Sequence, residues 1–175
     1  KQGNLNGLET LVNRYQAKAV HAAYLITRDR ASAEDAAQSA FVKAAERIHQ
    51  FDDERPFSPW FFRIVIHDAL KLAKRMKRQT SLDELDEDAS ALSTWLVDSA
   101  PQPGPSLEAN QIRERLLQAI QSLPPEQRAV VVMRYYLEMS EADMSAKMAR
   151  PLSSIKWWLR DARKRLNELI ADDRS

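Results

Sequence analysis

Five cations, Lys156, Arg160, Arg163, Lys164 and Arg165, stand on one side of a segment whose other side is apolar at helical spacing: Ile155, Leu159, Ala162, Leu166 and Leu169 or Ile170. Cations repeated along one helix face suit polyanions, since they offer charge-assisted bonds to phosphates and to base edges. Just upstream, Ser140–Met148 reads as a shorter helix. Ser140 is its N-cap candidate, Asp143 the reciprocal partner of a capping box, and Met144 and Met148 share one face. Ala149-Arg150-Pro151 separates the two helices, because a proline cannot continue the helix before it. Ser153 is a second N-cap candidate. A short helix, a turn and a longer basic helix over 140–170 make the helix-turn-helix plan, whose second helix enters the DNA major groove. A solvated helical hairpin shows the same pattern, so the rest of the chain must decide.

A second cluster mixes rings with cations. Ser58 caps and Pro59 opens a helix that carries Trp60, Phe61 and Phe62 beside Arg63, His67, Lys71, Lys74, Arg75, Lys77 and Arg78. Rings that stack on bases next to cations that follow phosphates suit a single strand. Trp60, Phe61 and Ile64 equally suit a hydrophobic core. His67 has no second ligand at a useful spacing, so no metal is expected. A glycine-rich phosphate loop, a metal-spaced His/Glu set and a nucleophile with its base are all absent, and Asp52 and Asp53 read as loop solvation. The expectation is a binding protein without a cofactor, not an enzyme.

The 175 residues suffice for one domain or two small ones. Apolar residues make up 44%, glycine numbers only 3 and β-branched runs are few, so the expected fold class is all-α. With no cysteine, disulfides and thiolate metal sites are excluded, and a cytoplasmic location is expected. No apolar run reaches membrane-spanning length and no signal peptide is legible, so no membrane insertion is expected. The chain starts at Lys1, and an N-terminal segment is expected to precede it.

Net charge is only +1, but it is segregated. Residues 1–78 hold 14 Lys+Arg against 9 Asp+Glu, 79–110 hold none against 7, and 111–175 hold 12 against 9. Two basic blocks around an acidic strip predict two helical domains, 1–78 and 107–175, joined by a flexible acidic linker over 79–106. They also favour a polyanionic partner. Leu82, Leu85, Leu92, Trp95 and Leu96 are sparse anchors in the linker, and Pro101, Pro103 and Pro105 close it.

The helices that must position the two clusters are legible by period. Leu5–Thr27 carries an apolar stripe through Leu8, Leu11, Val12, Tyr15, Ala19, Ala22, Ala23 and Ile26. Arg28-Asp29-Arg30 makes a turn. Ser32-Ala-Glu-Asp35 reads as a capping box opening a helix to about Gln50, with Ala36, Ala37, Ala40, Phe41, Ala44 and Ile48 inward. Glu34, Asp35 and Gln38 face outward; on their own these acids need only cap the helix. Phe51–Phe57 is a loop. In the second block, Leu107–Ser122 is one helix and Pro124-Pro125 opens another over Glu126–Leu137.

Taken in order, these segments resemble a bacterial RNA polymerase sigma factor of the extracytoplasmic-function (ECF) type in the sigma-70 family. The resemblance is carried by D-A-A-Q at 35–38, F-S-P-W-F-F-R-I at 57–64 and L-P-P-E-Q-R at 123–128. It implies that Asp35 and Gln38, supported by Phe41, bind the β′ clamp of core RNA polymerase. It implies that the loop Asp52–Phe57 receives a base flipped from the minus-10 element, with Arg55, Phe57, Ser58, Trp60, Arg63, His67, Lys71 and Lys74 along the separated strand. It implies that Ser153, Ser154, Lys156, Trp157, Trp158, Arg160, Arg163 and Lys164 meet minus-35 DNA. The implied partners are core polymerase, through its β′ clamp and β flap, promoter DNA and an anti-sigma factor, and the linker would run through the polymerase's RNA channel. The implied function is promoter-directed initiation of transcription.

Four positions depart from the family pattern. Ala149 stands where a turn glycine is usual, His67 where asparagine is usual, and Trp157-Trp158 where Ser-Arg commonly follows the lysine. Which indole meets a partner or the flap, and which meets a thymine methyl or the DNA backbone, is open at this level. Two other functions also remain open: a sigma-like decoy that binds an anti-sigma factor without reading promoters, and an ordinary helix-turn-helix repressor.

Overall fold

The computed structural model describes residues 5–80 and 107–172, and among these the secondary structure is helical. Helices α1 (Leu5–Thr27), α2 (Arg30–Glu46) and α3 (Phe57–Thr80) form the N-terminal module. The C-terminal module comprises α4 (Leu107–Ser122), α5 (Pro125–Val131) with a π-helical turn at Val132–Tyr136, α6 (Glu141–Met148) and α7 (Leu152–Asp172). The acidic segment with its expected leucine and tryptophan anchors lies outside the described residues.

Small side chains let α1 and α2 approach closely. Ala19, Ala22 and Ala23 meet Ala33, Ala36, Ala37 and Ala40, all of them buried. Into that alanine-lined pair α3 inserts Phe61, Phe62, Val65 and Ile66. One buried acid ties α2 to α3. Asp68 is 7% exposed, takes Lys43 Nζ at 2.7 Å on each carboxylate oxygen, and accepts Ser39 Oγ at 3.2 Å. A buried carboxylate persists only when its charge is paired and its lone pairs are filled, and here both conditions hold.

Several expected boundaries shift, each for a local reason. Helix α2 opens at Arg30, not Ser32: Asp29 is extended (φ −130°, ψ 129°) and its carboxylate accepts Ser32 N at 2.7 Å. An acid at that end also meets the positive pole of the helix. Helix α2 stops at Glu46, and Ile48–Gln50 is a separate 3-10 turn. Helix α3 begins at Phe57, one residue before the predicted Ser58 cap. The predicted 126–137 helix divides, since Val132–Tyr136 widens to π geometry and Leu137 N reaches Val132 O at 3.0 Å.

Around the helix-turn-helix, Ser140 caps α6 as expected by accepting Asp143 N at 3.1 Å. Asp143 answers through the Ser140 hydroxyl, at 2.6 Å, rather than through the backbone N–H of the usual box. Ala149 ends α6 in the left-handed region (φ 50°, ψ 47°), the conformation glycine adopts freely and alanine at some strain. Helix α7 starts at Leu152. Ser153 therefore lies in its first turn, and the carbonyl of Pro151 takes Ser154 N (2.9 Å) and Ile155 N (3.3 Å).

Candidate nucleic-acid interface

On α2, Asp35 and Gln38 are exposed on the outward face and make no side-chain bond among the described residues. Their neighbour Glu34 is held by Arg30 at 2.8 Å. Beneath them Phe41 is half-buried, its ring 4.6 Å from that of Phe61. A polar pair left free over a packed aromatic foot is ready for a partner without rearrangement.

The loop before α3 is held at both ends. Asp52 accepts Glu54 N (3.1 Å) and pairs with Arg55 (3.2 Å), while Arg55 N returns to Asp52 O (3.0 Å). Behind it Phe51, Phe57 and Trp60 lie 5.3–5.5 Å apart, and Phe57 stacks on Phe61 at 5.7 Å. Phe57 is thus a wall of the loop, and Ser58 is half-buried beside it. Phe61 and Phe62 are fully in the core, so neither offers a ring for base stacking. Trp60, Arg63, His67, Lys71 and Lys74 follow one stripe of α3 by helical spacing.

That stripe meets the C-terminal module. Arg63 and His67 line a small crevice with Phe62, Ile66 and Leu70 on one side and Met133, Met139, Lys147 and Met148 on the other. Lys147 Nζ donates to Pro59 O at 3.0 Å, and burial lowers its pKa, with Arg63 adding to the effect and Asp143 opposing it. Lys74 pairs with Glu126 at 2.9 Å. Among the stripe's cations, Lys71 is exposed and unpaired among the described residues.

Arg128 pins the two modules together. It is 5% exposed and has no carboxylate partner among the described residues. Its Nε donates to Ile26 O (2.8 Å), in the last turn of α1. Its Nη1 donates to Gln121 O (3.1 Å) and Leu123 O (2.6 Å), where α4 ends. The guanidinium thus caps the C-terminal, negative poles of two helices, which replaces a counter-ion. Burial, helped by Arg28 and opposed by Glu126, lowers its pKa to about 10, so it stays charged at neutral pH. Gln121 Nε2 donates to Tyr24 OH at 3.0 Å in the same seam.

A titratable contact closes the seam. Tyr136 OH lies 3.2 Å from His21 Nδ1, a ring that titrates near neutral pH. Burial, with the charge of Arg113 added, holds His21 below its ordinary 6.5. Above pH 6.5 the neutral ring costs nothing in either state. As pH falls below 6.5 the unfolded chain takes up a proton that the folded chain refuses, so stability drops until the folded pKa is passed. Burial raises Glu126, but the Lys74 bond, its own backbone N–H and the charges of Lys74 and Lys77 outweigh this, and its pKa lies below 4.5. Its contribution holds above pH 4.5 and is lost as pH falls through its lowered pKa. The urea midpoint is therefore expected to fall between pH 7 and 5, and His21→Gln to flatten that fall. An equal slope in the variant would remove His21 from the account.

In the helix-turn-helix, Met144 is buried and Met148 half-buried, on one face as expected. Ile155, Leu159 and Ala162 anchor α7, and Gln127 Nε2 bonds Asp161 Oδ2 at 2.5 Å to set its tilt on α5. Ser153, Lys156, Trp157, Arg160, Arg163 and Lys164 are exposed, while Ser154 and Trp158 are half-buried.

Comparison with known proteins follows the same division. Residues 11–80 match the family model of sigma-70 region 2, and residues 113–166 match sigma-70 region 4. The ECF RNA polymerase sigma factor SigW of Bacillus subtilis is 25% identical over 174 residues, covering 98% of this chain and 93% of its own. The RNA polymerase sigma-H factor of Pseudomonas aeruginosa is 26% identical over 172 residues, covering 97% and 89%. This chain belongs to the sigma-70 family, in its ECF branch. Among solved structures, the sigma factor RpoE of Bartonella quintana, in complex with the anti-sigma factor NepR, shares the fold at TM-score 0.70 and 20% identity, covering 95% of this chain and 98% of that one. CnrH, in complex with the cytosolic domain of CnrY, matches at TM-score 0.64 and 22% identity, covering 98% and 92%.

Sigma factors are non-enzymatic initiation factors that direct RNA polymerase to promoters, and that coarse function is this chain's. Among the described residues, no helix of this sigma factor is long and apolar enough to cross a membrane. The residues that the resemblance implies fall into three groups: an acidic face on α2, a stripe on α3 with its loop, and the outer face of α7. The first and third stand open, while the α3 stripe is partly covered by the C-terminal module. Sequence reasoning missed the residues that do the covering, Glu126, Lys147 and Met139, and the pins Arg128, Gln121 and His21. Glu126 and Arg128 lie in the L-P-P-E-Q-R segment, but no local signal shows what any of the six touches. Gln121–Tyr24 spans 97 positions and Arg128–Ile26 spans 102.

Proposed function

We propose that this sigma factor acts through two DNA-binding modules, 1–78 and 107–175, joined by the acidic linker 79–106. The outer face of α7 meets minus-35 DNA. The loop Asp52–Phe57 and the α3 stripe take the minus-10 strand, with Arg55, Phe57, Ser58, Trp60, Arg63, His67, Lys71 and Lys74 along its path. Catching a flipped base there offsets the few kcal/mol that unpairing costs. Asp35 and Gln38 dock on the β′ clamp of core polymerase. The observation that carries this reading is the family match in order, region 2 then region 4, on a chain whose α2 and α7 faces are both exposed and unoccupied among the described residues. Lys74 is held by Glu126 of the second module while Arg63, His67 and Lys71 stay exposed, so a strand that follows the whole α3 stripe has to displace that ion pair. The anti-sigma complexes among the fold's neighbours support a regulator of that kind here.

The test is co-elution with bacterial core RNA polymerase, followed by run-off transcription from genomic fragments. Co-elution with promoter-dependent transcripts supports the reading. Co-elution without transcripts would point to a degenerate minus-35 reader or a missing activator, and no co-elution at all would favour the decoy. Upstream contact has its own test. Replacing Lys156 and Arg160 together is expected to lower the salt slope of holoenzyme–promoter binding by roughly two, about 0.9 per lost phosphate contact. An unaltered slope would turn α7 away from DNA.

A further inference from the structure

We propose that Trp157 selects thymine in the upstream promoter element, an inference that rests on the promoter-directing reading above. The two adjacent indoles part company in the fold. Trp158 packs against the core, whereas Trp157 is 50% exposed. At about 100° per residue, Ser153, Trp157, Arg160 and Lys164 form one line down α7. The buried Ile155, Leu159 and Ala162 lie on the other side. Trp157 thus sits mid-line on the face turned furthest from the protein.

The cations of α7 narrow the contact further. Lys164 is paired with Glu168 (3.8 Å), Arg165 with Asp161 (3.1 Å), and Arg163 Nε donates to Leu159 O (3.2 Å). Lys156 and Arg160 have no such partner among the described residues. Two cations unpaired among the described residues stand to one side of the exposed indole. The cations hold phosphates, and the indole is brought to the base edges beside them.

The indole's chemistry then selects the base. It carries one N–H donor, no acceptor and a large apolar face. In the major groove the C5-methyl of thymine is the apolar mark, while cytosine at the same edge presents an amino donor. Facing thymine, the ring covers a methyl group. Facing cytosine, it meets a donor it cannot accept.

The experiment uses holoenzyme assembled from the full chain and core polymerase. Duplexes are selected from a pool randomised over the upstream element, and each selected thymine is then replaced by deoxyuridine, which removes only the methyl. The expected result is one or two positions at which this weakens binding about fourfold, the value of one buried methyl group. Trp157→Ala is expected to lose the selection and the deoxyuridine response there, and Trp157→Phe to keep both in part. Lys156→Ala is expected to weaken every duplex while preserving the response. Trp157→Ala holoenzyme that selects the same thymines with an unchanged response overturns the inference. So does a Trp157→Ala variant that loses core polymerase instead of promoter preference, which makes the indole a polymerase contact. If the wild-type holoenzyme selects no upstream element at all, the promoter-directing reading itself fails, and the thymine inference falls with it.

Discussion

Replacing Arg128 with methionine is expected to lower the free energy of unfolding by about 3–5 kcal/mol, as measured by urea denaturation. The side chain is buried and supplies bonds to three backbone carbonyls, those of Ile26, Gln121 and Leu123. Methionine keeps most of the volume but donates nothing. Each buried carbonyl left unsatisfied costs about 1–3 kcal/mol. The poles of two helices also lose the buried positive charge that bonds to both. Most domains are stable by about 5–15 kcal/mol, so a loss of this size leaves little margin. Because Ile26 lies in the N-terminal module, the variant is also expected to unfold in two steps instead of one. A loss below about 1 kcal/mol would mean that water replaces the guanidinium and that Arg128 is no pin.

The second large effect concerns binding alone. Asp35→Ala with Gln38→Ala is expected to weaken capture of core polymerase at least a hundredfold while leaving the unfolding midpoint where it was. Two central contact residues at about 2 kcal/mol each exceed the roughly 2.8 kcal/mol that a hundredfold requires. Both side chains are exposed and make no bond within the described residues, so the fold gives up nothing when they are cut back. Surface changes of that kind usually shift stability by no more than about 0.5 kcal/mol. Co-elution at wild-type strength would remove α2 from the polymerase contact. Lost binding together with a lowered midpoint would mean that the acids support the helix rather than the partner.

The two effects separate what stabilises the chain from what it offers to partners. L-P-P-E-Q-R at 123–128 illustrates the difference. In the sequence it is a family signature. In the fold each polar member has a structural partner: Glu126 takes Lys74, Gln127 takes Asp161, and Arg128 takes the ends of α1 and α4. D-A-A-Q at 35–38 has the opposite character, with its alanines buried and its polar ends exposed and unbonded among the described residues.

Much of this fold was legible from residue spacing alone. Helix α1 spans Leu5–Thr27 as its stripe predicts, and α4 spans Leu107–Ser122. The inward alanines of α2 and the buried face of α7 also follow the stripe. Periodicity records which side of a helix is apolar, and burial of that side is the dominant favourable term in folding. Boundaries were less legible. Asp29 and Ser32 are both sound N-caps, and only the backbone turn after Thr27 selects between them. The π turn at Val132–Tyr136 had no sequence cue.

The sequence by itself determined the helices, their apolar faces, the two basic blocks and the order of family segments. Each of these depends on residues within a turn or two of one another. The tertiary structure decided which of two neighbouring tryptophans faces outward, which aromatic residues of α3 are spent in the core, and which cations are already paired. It also decided that α3 lies against the second module, through partners such as Pro59 and Lys147, 88 positions apart. Such contacts are chosen by the packing of whole helices, and no local spacing encodes them.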